Sequence, residues 1–219
     1  IDVVPPIQNG NKLNHTIGLG AMGLHTYLAK EQMEYGSEDS LDFTNIYFML
    51  LNYWTLVESN NIARERKQVF HNFEKSAYTD GTYFEKYVTG EFQPKSEKVK
   101  ALFEGIFIPA AEDWNALKQA VMKDGLYHQN RLAVAPNGSI SYINDTSASI
   151  HPITRMIEER QEKKIGKIYY PAPYLSNETI PYYTSAYDMD MRKGIYGYAT
   201  AQQQVDQGMR LTLFMRSDI

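Results

Sequence analysis

The residues best suited to chemistry lie in one stretch of small and polar side chains, residues 130–152. A short apolar run at 132–135 is followed by Pro, Asn, Gly and Ser at 136–139. This order predicts a strand that leaves the core through a tight turn. If Ser139 or a neighbour caps a helix, several backbone N–H groups point outward at the positive end of its dipole. Such a site binds phosphate or carboxylate without a lysine.

A plain strand-to-helix connection would have the same composition, because turns of Asn, Gly and Ser are common. The two interpretations differ in whether the turn presents its backbone donors to a ligand. Gly138 is the position where we expect a backbone conformation available only to glycine.

The other candidate motifs favour structural roles. Residues 18–23 match GxGxxG, but no strand is predicted before them, so we expect glycines packed in a helix and no dinucleotide site. The five histidines have no metal-ligand spacing, and we expect no metal site. The serines at 139–149 lack a nucleophile-elbow pattern, and the tyrosine pairs at 169–170 and 182–183 are expected to pack.

Composition excludes several classes of function. The 219 residues carry 22 basic and 26 acidic side chains, a net charge of −4, which gives no electrostatic footprint for nucleic acid. No apolar run reaches the ~18 residues of a membrane span, and a cytoplasmic location is expected. With no cysteine, the chain itself carries no disulfide, thiolate metal site or thiol redox chemistry. The 17 tyrosines suit a broad interface with other protein.

The elements that would position these residues are mostly helices. A loop is predicted at 1–11, and the charge run at 158–164 is read as a solvated helix end. Helices are predicted at 13–30, 40–66, 82–88, 96–104 with Ser96 as its cap, 111–124 ending at Gly125, and 182–206. Strands are predicted at 132–135 and 211–215, and residues 165–170 are either a strand or an extended arm. Strands joined by a helical crossover indicate parallel α/β architecture, of which the chain holds a part.

Several segments together resemble the large (α, catalytic) subunit of class I ribonucleotide reductases, particularly the class Ib branch. They are GLGAMGLHTYLA at 18–29, LDFTN at 41–45, GLY at 125–127, APNGSISYIN at 135–144, SIHPI at 149–153, YYPAPY at 169–174 and VDQG at 205–208. The resemblance is collinear over essentially the whole chain.

The resemblance implies a fold and a site. It implies that residues 1–219 are a single segment, the helix-rich later part of a ten-stranded α/β barrel that is incomplete on its own. The barrel would reduce ribonucleoside diphosphates by thiyl-radical chemistry. The family's substrate-phosphate loop falls on Pro136, Asn137, Gly138, Ser139 and Ile140. The family usually has Thr where Asn137 stands, so one hydroxyl donor is lost while a short polar side chain is kept.

The resemblance also implies what this segment lacks. The radical cysteine, the reducing cysteine pair and the radical-path tyrosines belong to other segments, so we expect no catalytic residue here and no turnover by the chain alone. The complete enzyme would need a metal/tyrosyl radical in a separate small subunit and an external dithiol reductant. The alternatives are a stand-alone anion- or nucleotide-binding α/β module and a structural subunit that docks on a larger partner.

Overall fold

The computed structural model describes residues 4–162 and 166–216, and within these the chain is mainly helical. The helices are α1 Pro5–Asn14, α2 Leu24–Lys30, α3 Glu38–Arg66, α4 Glu85–Thr89, α5 Glu97–Leu102, α6 Ala111–Asp124, α7 Gly138–Ile143 and α8 Met191–Gln202. Short 3-10 helices lie at Phe73–Lys75, Thr82–Phe84 and Ile180–Tyr182. The strands are β1 Ile157–Glu162 and β2 Gly166–Pro171. None of the described helices is long and apolar enough to cross a membrane.

Contacts divide the chain into two units. The first contains residues up to 19, 46–133 and 204–207, and the second contains 20–45, 134–203 and the residues from 208 onward. The single-segment assignment of residues 1–219 stays a prediction.

The first unit has an aromatic core beside a buried ion pair. Tyr87 stacks on Trp114 of α6 with ring centroids 4.0 Å apart. The guanidinium of Arg131, fully buried, lies 3.1 Å from the carboxylate of Asp206. Asp206 also accepts the backbone N–H groups of Arg131 and Leu132 at 2.9 and 3.0 Å. One carboxylate therefore fixes both a side chain and the backbone of the segment at 131–132.

The same segment forms the chain's parallel strand pairing. Leu19 and Leu132 make an isolated parallel bridge, in which Leu19 N–H donates to Arg131 O at 2.8 Å and Ala133 N–H donates to Leu19 O at 3.0 Å. A Cβ at Gly18 would stand 3.0 Å from the Ala133 Cβ, so glycine permits this close approach.

The second unit is organised around a small buried cluster and a hairpin. Ala29 of α2 packs with Ala172 and Tyr183. Strands β1 and β2 pair antiparallel, with Ile157 opposite Pro171 and Glu162 opposite Gly166. Tyr183 donates its hydroxyl to Pro173 O at 2.6 Å, which gives this tyrosine a packing role.

Several predicted elements are confirmed. Helix α6 has the predicted bounds and ends at Gly125, whose φ of 77° favours glycine. Ser96 caps α5 by accepting the Val99 N–H at 3.2 Å. Helix α3 covers the predicted 40–66.

Other predicted elements are wrong. The helix at 13–30 is two helices separated by an extended segment, because the glycines at 18–23 interrupt it and Leu19 pairs with Leu132. Within the predicted loop at 1–11, the described part forms α1. The charge run at 158–164 forms β1 as far as residue 162, and Lys163 and Lys164 lie outside the described residues. The strand interpretation of 165–170, in contrast, is confirmed, because residues 166–170 lie in β2; Ile165 lies outside the described residues.

The two strands at either end of the predicted crossover are also corrected. Residues 132–135 make only the single bridge at Leu132, and the described residues 211–215 form no strand. Leu211, Leu213 and Met215 are exposed, because an apolar run without a paired neighbour has no ladder to join. The two-stranded sheet is antiparallel, so parallel pairing is confined to the Leu19–Leu132 bridge in the described part of the chain. The ten-stranded barrel therefore stays a proposal.

Candidate functional site

The predicted loop at 136–140 leads directly into a short helix in the second unit. Helix α7 begins at Gly138, and its first backbone bond joins Ser141 N–H to Asn137 O at 3.2 Å. The N–H groups of Gly138, Ser139 and Ile140 therefore have no acceptor within the helix. All three residues are exposed, as is Pro136. The loop presents three consecutive backbone donors to solvent.

Asn137 occupies the cap position of α7 but does not cap it with its side chain. Its Oδ1 accepts the N–H of Ser149 at 2.5 Å, which closes the segment between them into a loop. Ser139, predicted as a possible cap, is the second residue of the helix. Asn137 thus has a bracing role, and the donors of α7 stay uncapped by this side chain.

The expectation for Gly138 is wrong. It is not among the described glycines with a positive φ, and no atom lies within 4 Å of where a Cβ would stand. The reason is its place as the first helical residue, where ordinary helical geometry suffices. Ser141 Oγ donates to Gly138 O at 2.7 Å, so the first turn carries a side-chain bond as well.

A cleft of about 280 Å³ opens beside this turn, entirely within the second unit. Gly138, Ser141 and Tyr142 line it from α7, and residues of β1, β2 and the preceding segment line the rest. Its volume is close to the lower end of small-molecule pockets, about 300–1,000 Å³. A group the size of a diphosphate fits such a space.

The two arginines that line the cleft differ in their ion pairing. Arg160 is ion-paired to Glu158, with Nε 3.0 Å from Oε1. Arg155, exposed at the edge of the cleft, has no ion-pair partner among the residues that the structure describes. An unpaired guanidinium beside free backbone donors suits an anion. The sequence analysis missed Arg155, because the strand β1 that follows it has no local signal and the cleft forms only when β1 pairs with β2.

His25 is a buried residue that hydrogen-bonds the backbone of a residue in the cleft lining. Ile153 N–H, in a residue that lines the cleft, donates to Nδ1 of His25 at 2.9 Å. Nε2 must then carry the proton, which it donates to Tyr182 O at 3.0 Å. Burial lowers the pKa of His25 to about 4, so the ring is neutral near pH 7. His25 is a structural histidine, and no cluster of three or more metal-ligating side chains occurs among the described residues.

Comparisons with known proteins match one family over essentially the whole chain. The family model for the ribonucleotide reductase barrel domain matches residues 1–219. The chain is 46% identical over 212 residues to the ribonucleoside-diphosphate reductase subunit alpha of Bacillus subtilis, covering 97% of this chain and 30% of that protein. It is 48% identical over 212 residues to the NrdEB subunit alpha of Bacillus phage SPbeta, covering 97% and 20%.

A more distant relative matches as well. The subunit alpha from Mycoplasma pneumoniae is 42% identical over 221 residues, covering 98% of this chain and 30% of that protein. The chain therefore spans between a fifth and a third of the length of these relatives.

Proposed function

The chain belongs to the ribonucleotide reductase barrel-domain family, and we propose that it forms part of a catalytic α subunit that converts ribonucleoside diphosphates to 2'-deoxyribonucleoside diphosphates. Within that subunit, residues Pro136, Asn137, Gly138, Ser139 and Ile140 bind the substrate phosphates. The observation that carries this proposal is the run of three exposed residues at the start of α7 whose N–H groups have no acceptor among the described residues.

Three features of the second unit support the phosphate assignment. The donors of Gly138, Ser139 and Ile140 are consecutive, so they can converge on one anion. The Asn137–Ser149 hydrogen bond fixes the loop from behind without using those donors. Arg155, which has no ion-pair partner in the described part of the chain, adds a positive charge to the lining of the adjoining cleft. Backbone donors and one guanidinium can together offset the charge of a diphosphate.

The composition of this chain bears on which catalytic groups the other segments of the α subunit would supply. Thiyl-radical reduction needs a radical cysteine and a dithiol donor, and the chain has no cysteine. In this proposal other segments of the α subunit supply those groups, within a ten-stranded α/β barrel, and this segment holds the substrate. The complete cytoplasmic enzyme would depend on a radical-generating small subunit, with its metal/tyrosyl radical, and on an external dithiol. Family membership favours this function over a stand-alone anion-binding module or a docking subunit.

The test is Ser139→Ala in a complete α subunit that carries this chain. In this proposal the Ser139 hydroxyl adds one side-chain hydrogen bond to the phosphate, beside the backbone donors. Its loss should weaken substrate binding by about 1.5–3 kcal/mol, measured as a rise in the KM for cytidine diphosphate. Asn144→Ala is the matched control, since Asn144 is exposed at the opposite end of the same helix. An unchanged KM for Ser139→Ala, or an equal rise for both variants, would contradict a contact between the Ser139 hydroxyl and the phosphate.

A further inference from the structure

Tyr142, one turn after Gly138 on α7, is held by two charged residues of β1. Its hydroxyl donates to Oε2 of Glu158 at 2.6 Å and accepts an N–H from Arg160 Nη2. Arg160 Nε in turn donates to Oε1 of Glu158 at 3.0 Å. The three side chains close a ring of hydrogen bonds that joins the helix to the hairpin, and we call it the Tyr142 clamp.

The hairpin's register puts both charged partners on one face. Side chains alternate along a strand, so Glu158 and Arg160 point to one side and Glu159 to the other. Tyr170 lies opposite Glu158 in the register. The Arg160 guanidinium lies 4.1 Å from the centre of the Tyr142 ring, and the Tyr170 ring centre lies 5.1 Å from that of Tyr142. The cation–π contact with Arg160 and the tilted contact with Tyr170 therefore hold the Tyr142 ring, while the hydrogen bonds hold its hydroxyl.

The protonation states of Tyr142 and Glu158 are the ones that the hydrogen bonds of the clamp require. Burial, followed by the hydrogen bond to Glu158, raises the pKa of Tyr142 to about 12, so the hydroxyl keeps its proton. Burial opposes ionisation of Glu158, yet its pKa lies below the ordinary value because hydrogen bonds from Tyr142 and Arg160 stabilise the carboxylate. A neutral phenol between a carboxylate and a guanidinium uses its donor and an acceptor at once.

We propose that Tyr142, Glu158 and Arg160 are positioning residues that set the orientation of α7 and so aim the backbone donors of the phosphate loop. This inference rests on the proposed function of that loop. Arg160 acts through Tyr142 and is not itself the phosphate ligand, because its guanidinium is already shared between Glu158 and the Tyr142 hydroxyl.

The need for a clamp follows from the length of the helix. Helix α7 has six residues, too few to be stable alone. Its orientation must therefore come from tertiary contacts. At its start the Asn137 side chain bonds Ser149, and toward its end the Tyr142 clamp bonds β1. Small displacements of such a helix move the donors away from the phosphate oxygens, and catalysis is sensitive to shifts of this size.

The experiment compares two Tyr→Phe substitutions in a complete α subunit that carries this chain. Tyr142→Phe removes both hydrogen bonds of the hydroxyl and keeps the ring. Tyr169→Phe is the matched control, on the neighbouring strand residue whose side chain is exposed on the other face of the hairpin. We expect Tyr142→Phe to raise the KM for cytidine diphosphate roughly fivefold with kcat within twofold of wild type. We expect Tyr169→Phe to change neither.

A second variant keeps the inference testable if Tyr142→Phe folds poorly. Arg160→Lys retains the charge but loses the planar guanidinium, and we expect a smaller rise in KM, about threefold. A merely structural clamp would reduce the active fraction, so kcat would fall while KM stayed constant, and this result would overturn the positioning role.

The Ser139→Ala variant separates the two proposals. If Ser139→Ala raises KM and Tyr142→Phe does not, the clamp inference is wrong and the phosphate loop stands. If neither of these variants raises KM, and neither does Gly138→Pro, which removes a backbone donor of the loop, the phosphate loop is misplaced and the clamp inference falls with it.

Discussion

At the scale of single residues, Asn137 shows how a departure from the family pattern can be accommodated. The resemblance leads to a threonine at this position, and the loss of its hydroxyl would be expected to weaken the loop. The amide oxygen instead accepts the Ser149 N–H at 2.5 Å. Asparagine thus closes the loop through a contact that does not compete with a ligand for the N–H groups of α7.

His25 is the residue whose protonation should matter most for the second unit. Its pKa falls from 6.5 to about 4 on folding, chiefly because it is buried. A lowered folded pKa means that the stabilisation is complete above pH 6.5 and is lost as the pH falls toward 4. At about 1.36 kcal/mol per pH unit, the full loss is about 3 kcal/mol, and about 2 kcal/mol of it should appear by pH 5.

The measurement is the thermal midpoint of the complete subunit at pH 7 and pH 5. Wild type should lose more stability between the two than His25→Gln, which has no ring to protonate. His71→Gln, at an exposed histidine, should behave like wild type. Equal pH dependence in wild type and His25→Gln would show that the buried ring does not titrate in this range.

At the scale of elements, Asp206 is the residue that anchors the segment at 131–132. Its carboxylate neutralises the buried Arg131 guanidinium and accepts two backbone N–H groups. Asp206→Asn leaves a buried charge without its counter-ion, which typically costs about 3–5 kcal/mol. We expect the Leu132 amide to exchange with deuterium much faster in this variant, because its protection requires the anchored segment.

The control for Asp206 is a solvent-exposed pair. Asp190→Asn removes the carboxylate that pairs with Arg192 at the start of α8, and asparagine can still cap that helix. Hydrogen exchange at Leu132 should be unaffected by this change. If Asp206→Asn leaves the exchange of Leu132 as slow as in wild type, the anchor lies elsewhere.

Sequence patterns predicted correctly those helices that have a clear apolar period and a typical residue at one end. Helix α6 has a 3.6-residue apolar period and a glycine at its end, and both bounds were predictable. The hairpin was not, because its charged first strand has no strand signal of its own and is specified by pairing with β2. The extended segment around Leu19 was missed for the same reason, since only its partner at Leu132 reveals it. The local periodicity of a sequence does not indicate which distant segments pair with each other.

The candidate functional site was also predictable only in part. The loop at 136–140 was predictable from its composition, because Pro, Asn, Gly and Ser mark a turn wherever they occur together. The cleft beside it was not, since Tyr142, Arg155 and Arg160 meet there only once the hairpin has formed. The charge run that appeared to be a solvated helix end supplies two members of the Tyr142 clamp.

At the scale of the whole molecule, the proposed function makes this chain the part of a larger enzyme that holds the substrate. It spans between 20% and 30% of the relatives described above. Because the chain has no cysteine, the proposal assigns the radical chemistry to other segments of the α subunit. The contribution left for residues 136–140 is electrostatic and geometric, and it should appear in substrate affinity.

The most direct test is the KM for cytidine diphosphate of Gly138→Pro beside Gly138→Ala, in a complete α subunit whose folding has been checked. Open space around Gly138 predicts that alanine is tolerated, with KM within twofold of wild type. Proline is compatible with the first position of a helix but removes the N–H donor, so KM should rise at least tenfold. If Gly138→Pro binds substrate like wild type, the phosphates are held elsewhere and the central claim is wrong.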